Sequence, residues 1–278
     1  MDPPGQVKGV SDVTSMKSSS EGPDVLLDVR DGVATISINR PTRKNAMTTA
    51  AWELLGETVA QVRADADVRA VVLTGTGGDL CAGSDLGGPP DPRHPWVRMG
   101  ALNDVALALY ELPKPVVAKI DGVAVGAGCN LALGCDLVVA TPRSRFSQIF
   151  VRRGLSLDFG GSWLLPRIVG MQQAKRLALL GEIIDAVEAE RLGMVTWLKE
   201  PDEIGAFVDD LALRLAAGPP VAMAQTKEML HAGSGSSLDE ALQREASAQT
   251  MNFATDAPAA KQAFLDKTEP VFEGRWRL

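Results

Sequence analysis

With 278 residues, 45% of them hydrophobic and 23% charged, the chain can bury a substantial core as one large domain or a domain plus an appendage. A net charge of −7 excludes a general nucleic-acid surface, though not a local basic patch for a phosphorylated ligand. No apolar run approaches the roughly 18 residues of a membrane-crossing helix, and two histidines far apart in sequence suggest no zinc site.

Residues 1–24 are rich in Gly, Pro, Ser and Asp and have no apolar centre. They are expected to form a disordered leader, not a secretory signal or transit peptide. Folding is expected to begin at Val25, where two strand-like runs up to Arg40 are broken by Asp31-Gly32, a hairpin signal. Thr48 or Thr49 then caps a helix with Trp52, Leu55, Val59 and Val62 on one face. The run Arg69 to Gly75 is a buried strand, and Gly87 to Trp96, with four prolines, is a loop. A helix from Val97 to Glu111 stops before Pro113 and Pro115, and Val116 to Ile120 and Asp136 to Ala140 follow as strands. Beyond Gly160 helices predominate: 162–169, 171–180, 186–192, then a short strand at Val195, then 201–217, 220–231, 237–254 and 258–268. Prolines stand near the start of three of the last four, where a first turn needs no N–H. The expected organisation is an α/β core over 25–199 and a helical region over 200–278.

Two glycine-rich turns carry the chemistry. VVLTGTGGDLCAGSDL (Val71–Leu86) and VVAKIDGVAVGAGCNLALGCDLVVA (Val116–Ala140) each follow an apolar run and open towards a helix. Glycine lets backbone approach a ligand closely and aim peptide N–H groups into a cavity. Two such donors brought together would hold the negative oxygen that develops on a thioester carbonyl, which points to acyl-thioester chemistry. GAGCNL lacks the third glycine of a dinucleotide fingerprint, and Ser84 with Asp85 and His94 lacks a nucleophile elbow. Cys81, Cys129 and Cys135 have no paired spacing and read as buried thiols of a reducing compartment, so the expected location is cytoplasmic.

Five stretches in order resemble the crotonase (enoyl-CoA hydratase/isomerase) superfamily: INRPTRKNAM, the two glycine-rich turns, the glycine pair before SWLLPRIVG, and AFLDKTEPVF near the end. The resemblance implies a spiral of β-β-α units with C-terminal helices that build a homotrimer or a dimer of trimers. It implies that the backbone N–H groups of Ser84 and Ala127 form the oxyanion hole. It places the adenine end of CoA against Lys44, Asn45 and Ala46 and against Ala82, Asp85 and Leu86, with Phe264 and Lys267 contributing from the same or a neighbouring subunit. CoA then arrives as part of the substrate, and no metal or other cofactor is implied.

The family's hydratases use two glutamates, whose places fall at Asn130 and Phe150; neither residue exchanges a proton at neutral pH. Asn130 is then expected to orient substrate and Phe150 to dry the pocket. Asp158 remains, among Leu155, Leu157, Phe159 and Trp163, as a desolvated acid with a raised pKa or as a helix cap. By resemblance to the superfamily's isomerases, including those acting on dienoyl-CoA and ring-epoxyphenylacetyl-CoA, Asp158 is the proton shuttle of a double-bond isomerase. Dehalogenase members would need a histidine where Asn103 stands. Enoyl-CoA hydration and a catalytically silent acyl-CoA-binding scaffold are the alternative readings.

Overall fold

The computed structural model describes residues 22–87 and 91–275; most of the expected leader, and residues 88–90 of the proline-rich loop, lie outside them. Residues 23 and 24 belong to the fold and not to a leader. Asn39 donates from Nδ2 to the Pro23 carbonyl at 3.1 Å, and its N–H donates to Asp24 O at 2.7 Å.

Strands β1 (Val25–Arg30) and β2 (Val33–Ile38) pair antiparallel from Val25↔Ile38 to Arg30↔Val33. Asp31 and Gly32 close the hairpin with positive φ of 50° and 77°, the backbone that a two-residue turn of matching twist requires. Helix α1 (Thr49–Ala64) is capped by Thr48, whose hydroxyl accepts from Ala51 N–H, and it buries Trp52, Leu55, Val59 and Val62 as their spacing predicts. Then follow β3 (Ala70–Gly75), α2 (Pro95–Tyr110), β4 (Val116–Ile120), β5 (Val123–Val125), α3 (Ala127–Leu133), β6 (Leu137–Ala140) and β7 (Arg145–Ser147). A 3₁₀ turn at Ile149–Arg153 leads to α4 (Gly161–Leu180), β8 (Ile183–Asp185), α5 (Ala186–Arg191) and β9 (Trp197–Leu198). The two helices expected across 162–180 meet at Gly170, whose φ of 75° and ψ of 158° break one element where the sequence separates two.

The larger sheet has the order β1-β2-β3-β4-β6-β9, parallel from β2 onward; β5, β7 and β8 form a second sheet. In β4-β5-α3 and β6-β7-α4 the first strand enters the large sheet and the second enters the small one. Cys81 adds a single bridge to Ala124, so the turn after β3 stacks on the turn after β4. This is a mixed α/β architecture. The strands of the small sheet escape sequence reading because three residues are too few to display a period of two.

Helix α6 (Ile204–Ala216), the first of the helices expected over 200–278, packs on the sheet of the core. Its Ile204, Val208, Leu211 and Ala212 pack with Val72, Val117 and Val139 from the face of the large sheet opposite the main core. Strands inside a parallel sheet must be covered on both faces, and α6 supplies the second cover. It starts at Ile204, so Pro201 lies in the preceding turn. Pro220 and Pro258 do stand in the first turns of α7 (Pro220–Gly233) and α9 (Ala257–Asp266). Between these two lies α8 (Leu238–Phe253), opened by a capping box of Ser237 and Glu240. No helix among the described residues is long and apolar enough to cross a membrane.

Candidate active site

The glycine-rich turns come together because their glycines admit backbone where a side chain would collide. A Cβ on Gly128 would overlap Cys81 O. A Cβ on Gly83, whose φ is +90°, would stand 3.0 Å from Val125 O and 3.7 Å from Ala127 N. The residue before Ser84 therefore lies directly against the turn that opens α3. Ser84 is tied to Met47 by bonds of its neighbours, Met47 N–H to Gly83 O and Asp85 N–H to Met47 O, both 2.8 Å. The Ser84 and Ala127 N–H groups donate to no other group among the described residues, the second because the first turn of a helix has no carbonyl to offer. Ser84 lines a cleft of about 620 Å³ together with Asp158, Trp52 and Arg98; Ala127 is buried behind Gly83.

Asp158 stands in the 155–158 segment between the 3₁₀ turn and α4. Its carboxyl is mostly buried, its Oδ1 has no hydrogen-bond partner, and burial pushes its pKa from 3.8 up to about 6. It does not cap α4: the N-cap is Gly160, and Asp158 contributes only its carbonyl, which accepts from Gly161 N–H at 2.9 Å. Nothing inside the fold uses this carboxyl. An unsatisfied buried acid is a cost that a functional site retains.

Asn130 differs from its expected role as a substrate ligand. Its Nδ2 donates to Asp158 O at 2.8 Å, and its Oδ1 accepts from Gln148 Nε2 at 2.8 Å. The fully buried amide thereby ties α3 to the backbone of Asp158 and positions that residue. Phe150 lies behind the first turn of α3. Its ring packs about 3.8 Å from where a Cβ on Gly126 would stand, under the start of α3, and it is not part of the cleft wall. The apolar residues that line the cleft include Met47, Leu102, Leu155 and Leu157.

The turn at 44–46 is built by unusual backbone. Lys44 and Asn45 have φ of 51° and 56°, and Asn45 is wholly buried. The Asn45 side chain accepts from Arg40 N–H at 2.7 Å and donates to the carbonyls of Thr76 and Asp79. The Asn45 side chain is a brace, occupied within the fold. Lys44 O accepts from Ala82 N–H at 3.0 Å, which joins the 44–46 and 82–86 segments. Asp85 is buried and Arg40 donates to it at 3.1 Å; burial alone would raise its pKa, but the Gly87 N–H and Arg40 hold it below the usual value. Leu86 is exposed on the cleft rim. Phe264 and Lys267 are exposed on and just after α9, and neither lines the cleft.

Sequence reading missed three participants. Trp52, read as a core residue, turns its ring to 5.0 Å from that of Phe159, beside Asp158. Arg98 enters the cleft from α2. Arg93 bridges Glu53 and Asp91 across its mouth at 2.7 Å each. An arginine among the apolar residues of α2 was the one available signal. His94 caps α2 by accepting from Trp96 N–H, so it is no partner for Ser84. The three cysteines are buried and free, and burial pushes the thiols of Cys81 and Cys129 up to about 12, which removes them as nucleophiles.

The Ser84 backbone and the Asp158 carboxyl share one cleft, and the turn before Ala127 lies against Gly83. The chain belongs to the enoyl-CoA hydratase/isomerase family, whose model matches residues 28–275. It is 35% identical over 258 residues to 1,2-epoxyphenylacetyl-CoA isomerase of Escherichia coli, covering 90% of this chain and 98% of that one. It is 34% identical over 248 residues to short-chain-enoyl-CoA hydratase of Clostridium acetobutylicum, covering 88% and 95%. The crystal structure of an enoyl-CoA hydratase from Mycobacterium smegmatis superposes with a TM-score of 0.84 at 32% identity, covering 90% of this chain and 99% of that one.

Proposed function

We propose that the chain is a double-bond isomerase of acyl-CoA thioesters. The substrate carbonyl sits at the Ser84 and Ala127 N–H groups. The Asp158 carboxylate takes a proton from the acyl chain, the electron pair of that C–H bond moves into the thioester as an enolate, and the enolate oxygen is held by the two donors. Asp158 returns the proton to a different carbon, so the double bond has shifted and no atom has been gained or lost. The CoA adenine end is assigned to the backbone at 44–46 and around Ala82, Asp85 and Leu86. Phe264 and Lys267 contribute to it from the same or a neighbouring subunit of a homotrimer or dimer of trimers.

One observation carries this reading: the buried, unpartnered Asp158 carboxyl lines the same cleft as Ser84. A pKa near 6 leaves it ionised at neutral pH yet able to hold a proton between two transfers. Hydration needs a second proton-exchanging group, and Asn130 and Phe150 are not such groups. The Clostridium relative's name favours hydration as the second reading. The test is Asp158→Asn with 3-enoyl-CoA and dienoyl-CoA substrates, beside water addition to crotonyl-CoA by the unaltered protein. Isomerase turnover should fall at least about 10²-fold, the usual contribution of a positioned acid or base. Undiminished turnover, or hydration as the faster reaction, overturns the proposal.

A further inference from the structure

A proton shuttle works only if its carboxyl stands at a fixed place, and the backbone around Asp158 gives it little support of its own. Residues 155–158 are irregular, and the two residues that follow have left-handed backbone, Phe159 at a φ of 48° and Gly160 at 75°. A buried phenylalanine in that region is strained and keeps its place only where neighbours hold it. Two donors hold the Asp158 carbonyl: Gly161 N–H at 2.9 Å, within the same turn, and Asn130 Nδ2 at 2.8 Å, from α3. Of the two, only the second comes from another element.

An amide has a donor end and an acceptor end, and the Asp158 carbonyl can only accept. The Asn130 amide must therefore face it with Nδ2, which turns Oδ1 the other way, towards a partner that has to donate. Gln148 is that partner: its Nε2 donates to Asn130 Oδ1 at 2.8 Å. Turned over, the amide would set Oδ1 against the Asp158 carbonyl, two oxygens with no proton between them. The fit is close, since a Cβ on Gly161 would collide with the Asn130 amide.

Gln148 is buried at the junction of β7 and the 3₁₀ turn, and it lines no part of the cleft. Apart from Asn130, its side chain contacts only the Cys129 sulfur by hydrogen bonding, at 3.5 Å from Nε2, and its Oε1 has no partner among the described residues. A buried amide with one end unsatisfied costs stability, so its retention fits a role in the site and not in the core. The residue beside it points the same way: Ser147 O accepts from Gly126 N–H at 2.8 Å, directly before Ala127. One dipeptide thus braces the turn that offers the Ala127 donor and, through Asn130, the acid.

We propose that Gln148 is a positioning residue for the reaction: it fixes the orientation of the Asn130 amide and so holds the Asp158 carboxyl in place. The inference rests on the isomerase reading of Asp158, to which it adds a residue that reaches the acid through two hydrogen bonds without touching substrate.

The test replaces Gln148 in the full chain by apolar residues of similar size that cannot donate, Gln148→Met and Gln148→Leu. Both should unfold cooperatively in urea as the unaltered protein does, because one unsatisfied oxygen, Gln148 Oε1, is exchanged for another, Asn130 Oδ1. Turnover of 3-enoyl-CoA should show kcat lowered at least about tenfold and KM changed less than about twofold, the pattern of a misplaced catalytic group. Asn130→Leu should do the same, and adding Gln148→Met to it should cost nothing more, because the two residues act in series. A second readout needs no turnover: NMR titration of labelled aspartate carboxyls, with Asp158 assigned by its loss in Asp158→Asn. Its pKa of about 6 should move back toward 3.8 in Gln148→Met as the released carboxyl reaches water. An unchanged kcat, an unmoved titration, a loss that adds to that of Asn130→Leu, or failure of both variants to fold overturns the inference. If the unaltered protein isomerises nothing, the isomerase reading fails, while the titration still decides whether Gln148 positions Asp158.

Discussion

Asp158 makes a quantitative prediction about stability as well as catalysis. Burial raises its carboxyl from 3.8 to about 6 in the folded protein, while the unfolded chain keeps the ordinary value. Between those two values the native state binds more protons than the unfolded state, so stability must fall as pH rises through the window and level off above it. The displacement corresponds to about 3 kcal/mol, of which roughly 2 kcal/mol is lost between pH 4.5 and pH 7.5. Asp158→Asn removes the titration and keeps the shape. Urea denaturation of both proteins at the two pH values should show the variant gaining about 2 kcal/mol relative to the unaltered protein on going from pH 4.5 to 7.5. The same ionisation should appear in kcat/KM, rising tenfold per pH unit up to about pH 6 and flat beyond it. A stability difference that does not change with pH would refute the claim that this carboxyl is desolvated and unpartnered.

Other perturbations test the scaffold that places the site. Gly128→Ala forces a methyl group into the Cys81 backbone and should cost at least about 3 kcal/mol, whereas Gly100→Ala, on α2 with open space around it, should stabilise by about 0.5–1 kcal/mol; both are measurable by denaturation. Asn45→Ala strands the Arg40 N–H and two carbonyls in a buried turn, and should cost about 3 kcal/mol and weaken CoA-ester binding. Thr48→Ala removes the α1 cap and should lower stability by about 1 kcal/mol with no change in kcat.

The parts of the fold legible in the chain are those with a local cause. The Asp31-Gly32 hairpin, the Thr48 cap, the buried face of α1, the apolar runs of β3, β4 and β6, and the break at Gly170 each follow from a few adjacent residues. The short strands β5, β7 and β8 do not, since they exist only as partners of one another. The place of α6 was hidden for a related reason. Its amphipathic pattern announces a helix with one buried face, but which surface covers that face depends on the unfilled side of a sheet whose strands, at Val72, Val117 and Val139, are distant in sequence.

The site divides along the same line. Sequence alone determined that two glycine-rich turns end β-strands near Ser84 and Ala127, and that Asp158 is an acid among apolar neighbours, because composition and spacing are properties of short segments. Only the tertiary structure decided that Gly83 lies against the turn before Ala127, that the Asn130 amide is occupied in holding Asp158, and that Arg98 and Trp52 line the cleft. Satisfaction of a polar group is a relation between distant segments, and a single chain segment carries no record of which of its donors will be left unmet.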